Sequence, residues 1–361
     1  MCSGEKKKKF SDHNILLSIC IGTYNRKELL MGLLDELARY PGDAIEVIVC
    51  DNASTDGTWE VLQKVTDNRF HICRNPENYG AEYNWLKTLW MGNGKYLMNL
   101  NDRSFIDLNS LNKVLLLMEK TDAGAIVTCG MKENGRLKVD SYENRACTME
   151  RLGEPGDIIY SGRIVREIKK DYGEELLKDD TYKMWGILTD RLLSAENWYW
   201  FSEVRLVKGN PTCTFSKIKV NRVSRGYIFT GCPEGQRGIC IDKLDRVSYI
   251  SPANQEKYVR GIVKAYARTF FWTTWNSYHN ESICKRYEYV PPKHTFWIKE
   301  TLIWQHEIIK TLKKENYENA DVFQFIKRQI WKEYKEFSYY RLTQTRIVKM
   351  MVRVKHAICK E

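Results

Sequence analysis

The sequence lacks the features that would place a chain across a membrane or around a structural metal. No run approaches the roughly 18 to 20 consecutive apolar residues that span a bilayer, and no apolar stretch follows the basic residues 6–9. The 11 cysteines are odd in number and scattered, none at C-x-x-C spacing, and none of the 6 histidines stands beside a cysteine pair. These absences argue against a spanning protein, a disulfide scaffold and a zinc site. We therefore expect a reduced, cytosolic protein.

The composition is that of a folded protein with an uneven charge. With 361 residues, 43% of them hydrophobic, the chain can fill the core of one large or two ordinary domains. Residues 1–240 carry 34 Lys and Arg against 33 Asp and Glu, and residues 241–361 carry 23 against 13. The last third therefore holds +10 of the net +11, which suits anionic lipid headgroups, nucleic acid or an acidic partner.

The first 130 residues alternate short β-branched runs with segments of helical periodicity. We predict strands at 15–21, 45–50, 70–73, 96–100 and 125–129, and helices at 27–40, 54–65, 81–91 and 108–119. Repeated βα units with continuous apolar strands predict a mostly parallel sheet covered on both faces.

The rest of the chain is less regular and then helical. We interpret residues 131–156 as a loop or hairpin, residues 158–207 as an α+β annex, and residues 209–242 as an active-site flap or a connection. Helices are predicted at 252–279, 295–315 and 320–357, with their aromatic residues in the core of a bundle.

Polar residues follow each of the first four predicted strands. They comprise Thr23, Tyr24, Asn25 and Arg26 after the first strand, Asp51 and Asn52 after the second, Arg74 and Asn75 after the third, and Asn101, Asp102 and Arg103 after the fourth. Open parallel sheets bind ligands at the carboxyl ends of their strands, so these residues form one candidate site. Each could also be an ordinary helix cap or a solvated strand end.

Together, four segments resemble a known family. LLSICIGTYNR, VIVCDNASTDGT, RNPENYGAEYNW and YLMNLNDRSF are similar to the N-terminal half of the family 2 glycosyltransferases with a GT-A fold. The resemblance implies transfer of a sugar from a nucleotide-diphosphate sugar to a glycan acceptor hydroxyl, with inversion, in surface polysaccharide synthesis on a lipid carrier. It also implies an α/β GT-A fold for the first part of the chain. Together with the helical periodicity and the basic charge further along, this divides the chain into a tail at 1–14, a nucleotide-sugar-binding and acceptor domain at 15–240 and a basic, mainly helical region at 241–361.

The resemblance assigns donor-binding roles. It implies that Thr23, Tyr24 and Asp51 contact the base and ribose and that Asn78 and Gly80 lie near the diphosphate. The rest of the implied donor-binding set is Asn25, Asn52, Asn101 and Asp102.

The acidic motif of the family is reduced here. Its members carry a D-x-D or D-D-D stretch that binds Mg2+ or Mn2+, whereas LNDRS keeps only Asp102 as the predicted metal ligand. Arg103 offers a second route, because a guanidinium can bind phosphate directly and reduce the dependence on metal. Alternatively, Arg103 points into solvent or pairs with Asp107.

The catalytic base is implied by the family to be an acidic residue of the annex. Asp180, just before the helix predicted at 182–195, is the first candidate, and Asp190, inside that helix, is the second. Acidic residues at a helix start are also ordinary caps.

The segment 341–361 carries six basic residues and no acid before Glu361, interleaved with aliphatic side chains. Such a helix suits an anionic membrane surface, which would place a peripheral enzyme at the inner face of the plasma membrane beside a lipid-linked acceptor. A solvated basic face is the alternative.

Two other functions stay open: a nucleotide-sugar-binding protein without catalysis, and a nucleic-acid-binding protein. No nucleic-acid-binding motif is present, so we do not expect nucleic acid as a partner.

Overall fold

The computed structural model describes most of the chain in two units. The described residues are 15–128, 136–138, 141–150, 152, 155–173, 176–177, 181–201, 206–209, 233–278 and 294–343. The first unit contains those up to residue 138 and from 152 to 209, and the second contains 141–150 and those from 233 onward. Within these ranges no helix is long and apolar enough to cross a bilayer.

Ten strands and eleven helices are defined by these residues. The strands are β1 (Leu17–Thr23), β2 (Ile45–Asp51), β3 (Phe70–Arg74), β4 (Tyr96–Asn101), β5 (Ser104–Ile106), β6 (Ala125–Val127), β7 (Arg136–Lys138), β8 (Ile158–Ser161), β9 (Trp198–Phe201) and β10 (Val207–Gly209). The helices are α1 (Lys27–Ala38), α2 (Thr58–Leu62), α3 (Ala81–Met91), α4 (Leu108–Lys120), α5 (Tyr142–Met149), α6 (Gly162–Tyr172), α7 (Thr181–Ser194), α8 (Pro233–Leu244), α9 (Pro252–Tyr278), α10 (His294–Lys314) and α11 (Ala320–Thr343).

The first unit is built on an eight-stranded sheet in the order β3-β2-β1-β4-β8-β6-β9-β7. All but β8 and β7 run in one direction, so the predicted mostly parallel sheet is confirmed. Nearly every residue of β1 and β2 is buried, because helices cover both faces of a central parallel strand. This burial explains why these strands have continuous rather than alternating apolar sequences.

Close helix packing shapes the edge of the sheet where β1 ends. A Cβ at Gly22 would lie 2.7 Å from Trp85 Cδ1 and 2.9 Å from Asn84 Nδ2, so only glycine lets α3 pack this closely on β1. The Asn84 side chain in turn donates to the Cys50 carbonyl of β2 at 2.8 Å. The start of α3 is thereby fixed beside the ends of β1 and β2.

The second unit is helical, with an aromatic core. Phe270 of α9 stacks on Trp304 of α10 with centroids 4.6 Å apart, and Phe271 of α9 stacks on Phe337 of α11 at 5.4 Å. Trp297 of α10 contacts Phe337 edge to face at 4.8 Å. These side chains are buried, as the helical spacing of the aromatic residues predicted.

Several predicted elements differ in extent or type. Residues 131–156 include helix α5, which Ser141 caps by accepting from the Asn144 N–H at 3.2 Å, so the loop or hairpin interpretation is wrong there. Helix α8 begins within the segment predicted as irregular, ends two residues beyond it and crosses the predicted boundary after residue 240. It packs with α9 and α10. Helix α2 begins only at Thr58, because Gly57 before it adopts a left-handed φ of 86°. The last predicted helix is described as far as Thr343.

Candidate functional site

The predicted strand-end residues meet at one edge of the sheet. In the parallel register of β1 with its two neighbours, Thr23 pairs with Asp51 of β2, and Gly22 pairs with Asn101 of β4. Asp102 follows directly after β4 and contacts Thr23. The topology therefore brings together residues far apart in the sequence, as expected for carboxyl ends of parallel strands.

Asp102 is held by two partners and is almost fully buried, with 1% of its side chain exposed. Its Oδ1 accepts from Arg26 Nη1 at 2.8 Å, and its Oδ2 accepts from the Thr23 hydroxyl at 2.9 Å. Burial raises the pKa of Asp102, while the charge of Arg26, the hydrogen bonds from Arg26 and Thr23, and the charge of Arg103 oppose that rise. Arg26 belongs to the predicted set of strand-end residues, but the resemblance assigned it no donor-binding or metal-binding role.

Asp51 is also buried and paired with an arginine. Its carboxylate accepts from the Ser54 N–H at 3.1 and 3.3 Å and lies 3.2 Å from Arg74 Nε. The Arg74 guanidinium lies over the Trp59 ring, 5.4 Å from its centroid, and is partly exposed. A ligand that reaches Asp51 would therefore meet Arg74 as well.

Asn52 organises the loop between β3 and α3. Its Nδ2 donates to Asn78 Oδ1 at 2.6 Å and to the Gly80 carbonyl at 3.1 Å, and its Oδ1 accepts from Asn75 Nδ2 at 2.8 Å. Gly80 has a φ of 90°, and nothing lies within 4 Å of the position its Cβ would take. The positive φ therefore requires glycine at this position, although there is room for a side chain. The space beside Gly80 is open to a ligand.

The turn after β1 is attached to the turn after β2. Asn25, with a φ of 52°, donates its N–H to Ser54 Oγ at 2.8 Å and accepts from the Thr55 N–H at 2.7 Å. Tyr24 is half-buried beside it. The side chain of Asn25 therefore positions the two turns relative to each other.

Arg103 lies next to Asp102 and is half-buried. Both oxygens of Asp107, its alternative partner, are engaged elsewhere: Oδ1 caps α4 by accepting from the Ser110 N–H at 3.0 Å, and Oδ2 pairs with Lys208. Asp107 is thus paired with Lys208 and not with Arg103, so the alternative pairing of Arg103 is not formed.

Of the two candidate bases, only Asp190 can be located relative to this cluster. Asp180 lies outside the described residues. Asp190 lies one turn before the end of α7, and α7 leads into β9. The segment between α7 and β9 lies at the amino edge of the sheet, because its Glu196 carbonyl accepts from the Gly124 N–H, just before the parallel strand β6, at 2.9 Å. Asp190 is thus near the edge opposite Asp102.

The geometry at Asp102 does not fit a divalent metal ion. Mg2+ and Mn2+ need free carboxylate oxygens, yet Arg26 and Thr23 already engage both oxygens of Asp102. The other acid at this edge, Asp51, is bonded to Ser54 and Arg74. Across the described ranges, no group of three or more His, Cys, Asp or Glu residues could hold a metal ion.

Comparison with known proteins agrees with this arrangement. The family model described as glycosyl transferase family 2 matches residues 18–188, a little under half of the chain, and includes β1, β2, β4 and every residue of the strand-end cluster. Residues 18–188 are a family 2 glycosyltransferase domain. This domain contains both sides of the site, the Asp51 side and the Asp102 side, as the resemblance implied.

The curated relatives match about a third of the chain. The abequosyltransferase RfbV of Salmonella typhimurium is 35% identical over 127 residues, 34% of this chain and 37% of that protein. WfaP of Escherichia coli, named as a UDP-Glc:alpha-D-GlcNAc-diphosphoundecaprenol beta-1,3-glucosyltransferase, is 28% identical over 104 residues, 29% of this chain and 41% of that protein. The chain thus spans about two fifths of the length of these relatives.

A solved structure resembles the chain over more of its length. Residues 1–349 of S. aureus TarS align with a TM-score of 0.51 at 14% identity, covering 92% of this chain and 93% of that one. At this identity the likeness shows the fold alone, a GT-A-like sheet unit followed by a helical region.

Proposed function

We propose that the chain transfers a sugar from a nucleotide-diphosphate sugar to a hydroxyl of a glycan acceptor in surface polysaccharide synthesis. The observation that carries this proposal is the convergence of Thr23, Asp51 and Asp102 at one sheet edge within a family 2 domain. The names of its relatives agree, since RfbV is an abequosyltransferase and WfaP acts on a diphosphoundecaprenol-linked acceptor. A third relative, TuaG of Bacillus subtilis, is named for teichuronic acid biosynthesis.

In this proposal one group of residues binds the base and ribose of the nucleotide, and a second group binds its diphosphate. Tyr24 and Asp51 bind the base and ribose, with Arg74 beside Asp51. The loop that Asn52 fixes presents Asn78 and the open face of Gly80 to the diphosphate. Asn25, Asn52 and Thr23 act mainly by positioning, because their polar atoms bond to the protein itself.

Chemistry at such a site needs a base and a way to neutralise the leaving group. A carboxylate takes the proton of the acceptor hydroxyl, the oxygen bonds to the anomeric carbon, and the bond from that carbon to the diphosphate oxygen breaks. This single displacement inverts the anomeric centre. We propose Asp180 as the base ahead of Asp190, because Asp190 lies toward the opposite edge of the sheet.

A panel of nucleotides tests donor binding and catalysis together. UDP, dTDP, GDP, CDP and ADP, and their common sugar conjugates, are mixed with the protein in Mn2+, Mg2+ or EDTA, and thermal unfolding is recorded. A nucleotide at 100 times its dissociation constant should raise the melting temperature by roughly 2 °C or more. Asp180→Asn should keep that shift and reduce transfer by about 100-fold or more, while the neighbouring Asp179→Asn keeps both.

The panel separates the possible functions. Absence of a shift with every nucleotide would contradict donor binding. A shift without transfer to any glycan or lipid-linked acceptor would favour a binding protein that has lost catalysis.

We also propose that the last helices bring the enzyme to an anionic membrane surface, on the inner face of the plasma membrane. On α11 the exposed residues Lys327, Arg328, Lys332 and Lys335 surround the half-buried Trp331. The basic segment 344–361 follows α11 in the sequence and lies outside the described residues. Each basic residue near such a surface contributes about 1 kcal/mol of binding.

Vesicle co-sedimentation tests this proposal. Removing 344–361 spares Arg341, which lies 5.1 Å from the Trp275 ring centroid within the bundle. The truncated chain should bind phosphatidylglycerol vesicles at least about tenfold more weakly, since it loses five basic residues. Phosphatidylcholine vesicles are the control, and unchanged binding to phosphatidylglycerol would reject the membrane surface as partner.

A further inference from the structure

The Asp102 carboxylate is already neutralised by a cation from its own chain. The salt bridge from Arg26 to Asp102 is 2.8 Å long, and Thr23 holds the second carboxylate oxygen at 2.9 Å. A metal ion at Asp102 would have to displace a guanidinium and a hydroxyl from a buried carboxylate. The pair therefore occupies the position at which the resemblance placed Mg2+ or Mn2+.

Arg26 remains open on the side away from Asp102. The Arg26 side chain is 41% exposed and that of Asp102 is 1% exposed. The carboxylate of the pair is therefore buried, while the guanidinium is accessible to a ligand. A guanidinium has five N–H donors, and the bond to Asp102 uses one of them. The remaining donors form a planar fork that matches the geometry of a phosphate.

The surroundings of Arg26 also favour an anion. Arg26 directly precedes the 12-residue helix α1, whose first N–H, on Lys27, donates to Asp56 Oδ2 at 3.1 Å, so that the charges of Lys27 and Asp56 balance at the helix start. The charged residues of the strand-end cluster are Arg26, Arg74, Arg103, Asp51 and Asp102. Three arginines against two aspartates leave an excess positive charge without any metal.

We propose that Arg26, anchored by Asp102, is the resident cation that binds the diphosphate of the nucleotide-sugar in place of a divalent metal. This proposal rests on the proposed function and specifies how the same site holds its donor. It assigns the leading role to Arg26, with Arg103 as a further source of positive charge. The diphosphate oxygens accept hydrogen bonds from the outer N–H groups of Arg26 as negative charge develops on the leaving group.

Calorimetric titration separates the phosphate contribution from the rest of the nucleotide. The nucleoside diphosphate selected by the thermal panel and its parent nucleoside are titrated in EDTA and in Mn2+ into wild type, Arg26→Ala, Arg26→Lys and Arg39→Ala. Arg39 is the matched control, because it is exposed, lies just beyond the other end of α1 and pairs with the half-buried Glu36. Wild type should bind the diphosphate with affinities that agree within about threefold in EDTA and Mn2+.

Arg26→Ala should weaken diphosphate binding by about 10- to 100-fold in both media and change nucleoside binding by less than about threefold. Arg26→Lys should recover part of that loss, and Arg39→Ala should match wild type. Retained nucleoside binding shows that each variant is folded at the site. If EDTA abolishes diphosphate binding to wild type, or if Arg26→Ala binds the diphosphate normally, the inference is wrong while the proposed function stands. If wild type binds no nucleotide, the proposed function itself fails.

Discussion

Replacing Glu46 by alanine is expected to lower the free energy of unfolding of the sheet unit by about 3 kcal/mol or more. Glu46 is 2% exposed and lies on β2 opposite Ser18 of β1. Its Oε1 accepts from the Ser18 hydroxyl and from the Asn93 N–H, both at 2.6 Å, and its Oε2 lies 3.3 Å from His71 Nε2. Alanine would remove this acceptor from the buried Ser18 hydroxyl, from the Asn93 N–H and from His71.

Two further variants serve as controls for this prediction. Glu46→Gln keeps a carbonyl oxygen for Ser18 and Asn93 and should cost clearly less than alanine. Glu60→Ala, on the exposed face of α2, should change the unfolding free energy by less than about 0.5 kcal/mol. Urea denaturation measures the total effect, and hydrogen exchange of peptides covering β1 and β2 localises it. A loss for Glu46→Ala as small as that for Glu60→Ala would contradict the proposed network.

The stabilising effect of Glu46 should also depend on pH. Burial raises the pKa of Glu46, but hydrogen bonds from His71, Ser18 and Asn93 outweigh that effect and bring it below the ordinary glutamate value of 4.5. A depressed folded-state pKa adds stability above the unfolded-state value, and this stability is lost as pH falls through the folded-state value. The difference in unfolding free energy between wild type and Glu46→Gln should therefore be largest near neutral pH and shrink below pH 4.5.

The sheet was predictable from sequence because its signals are local. Continuous apolar runs at β1 and β2 and the leucine spacing of α1 indicate elements whose neighbours need not be known. The antiparallel strand β8 in the middle of the sheet was not predictable in this way. Its four residues read as a strand, but its direction depends on pairing with β4 and β6.

The site was predictable as a group of residues but not as a set of contacts. The carboxyl-edge rule places Thr23, Asp51 and Asp102 together, because parallel strands end at the same edge. Which arginine faces Asp102 depends on the turn after β1, where Asn25 adopts a positive φ and is bonded to Ser54. Spacing pointed to Arg103 because it is adjacent in sequence, whereas the fold brings Arg26 across 76 positions.

Replacing Asp102 by asparagine is expected to reduce the rate of sugar transfer by about 100-fold or more. Asparagine has nearly the same shape and can still accept from Thr23, so the packing of β4 is kept. The lost negative charge releases the Arg26 guanidinium, which is then no longer held toward the diphosphate. Initial rates with saturating acceptor measure the effect, and Asp67→Asn is the control. Asp67 pairs with Arg69 before β3, at the opposite edge of the sheet, and its variant should transfer at the wild-type rate.

A double-mutant cycle distinguishes an anchor for Arg26 from a metal ligand. If Asp102 acts through Arg26, the variant carrying both Asp102→Asn and Arg26→Ala should bind the diphosphate about as weakly as Arg26→Ala alone, so the two losses are not additive. If Asp102 instead binds a metal, the losses should add, and a large excess of Mn2+ should restore part of the binding to Asp102→Asn. Because the bond from Arg26 to Asp102 is direct, at 2.8 Å, we expect the non-additive result and no response to Mn2+.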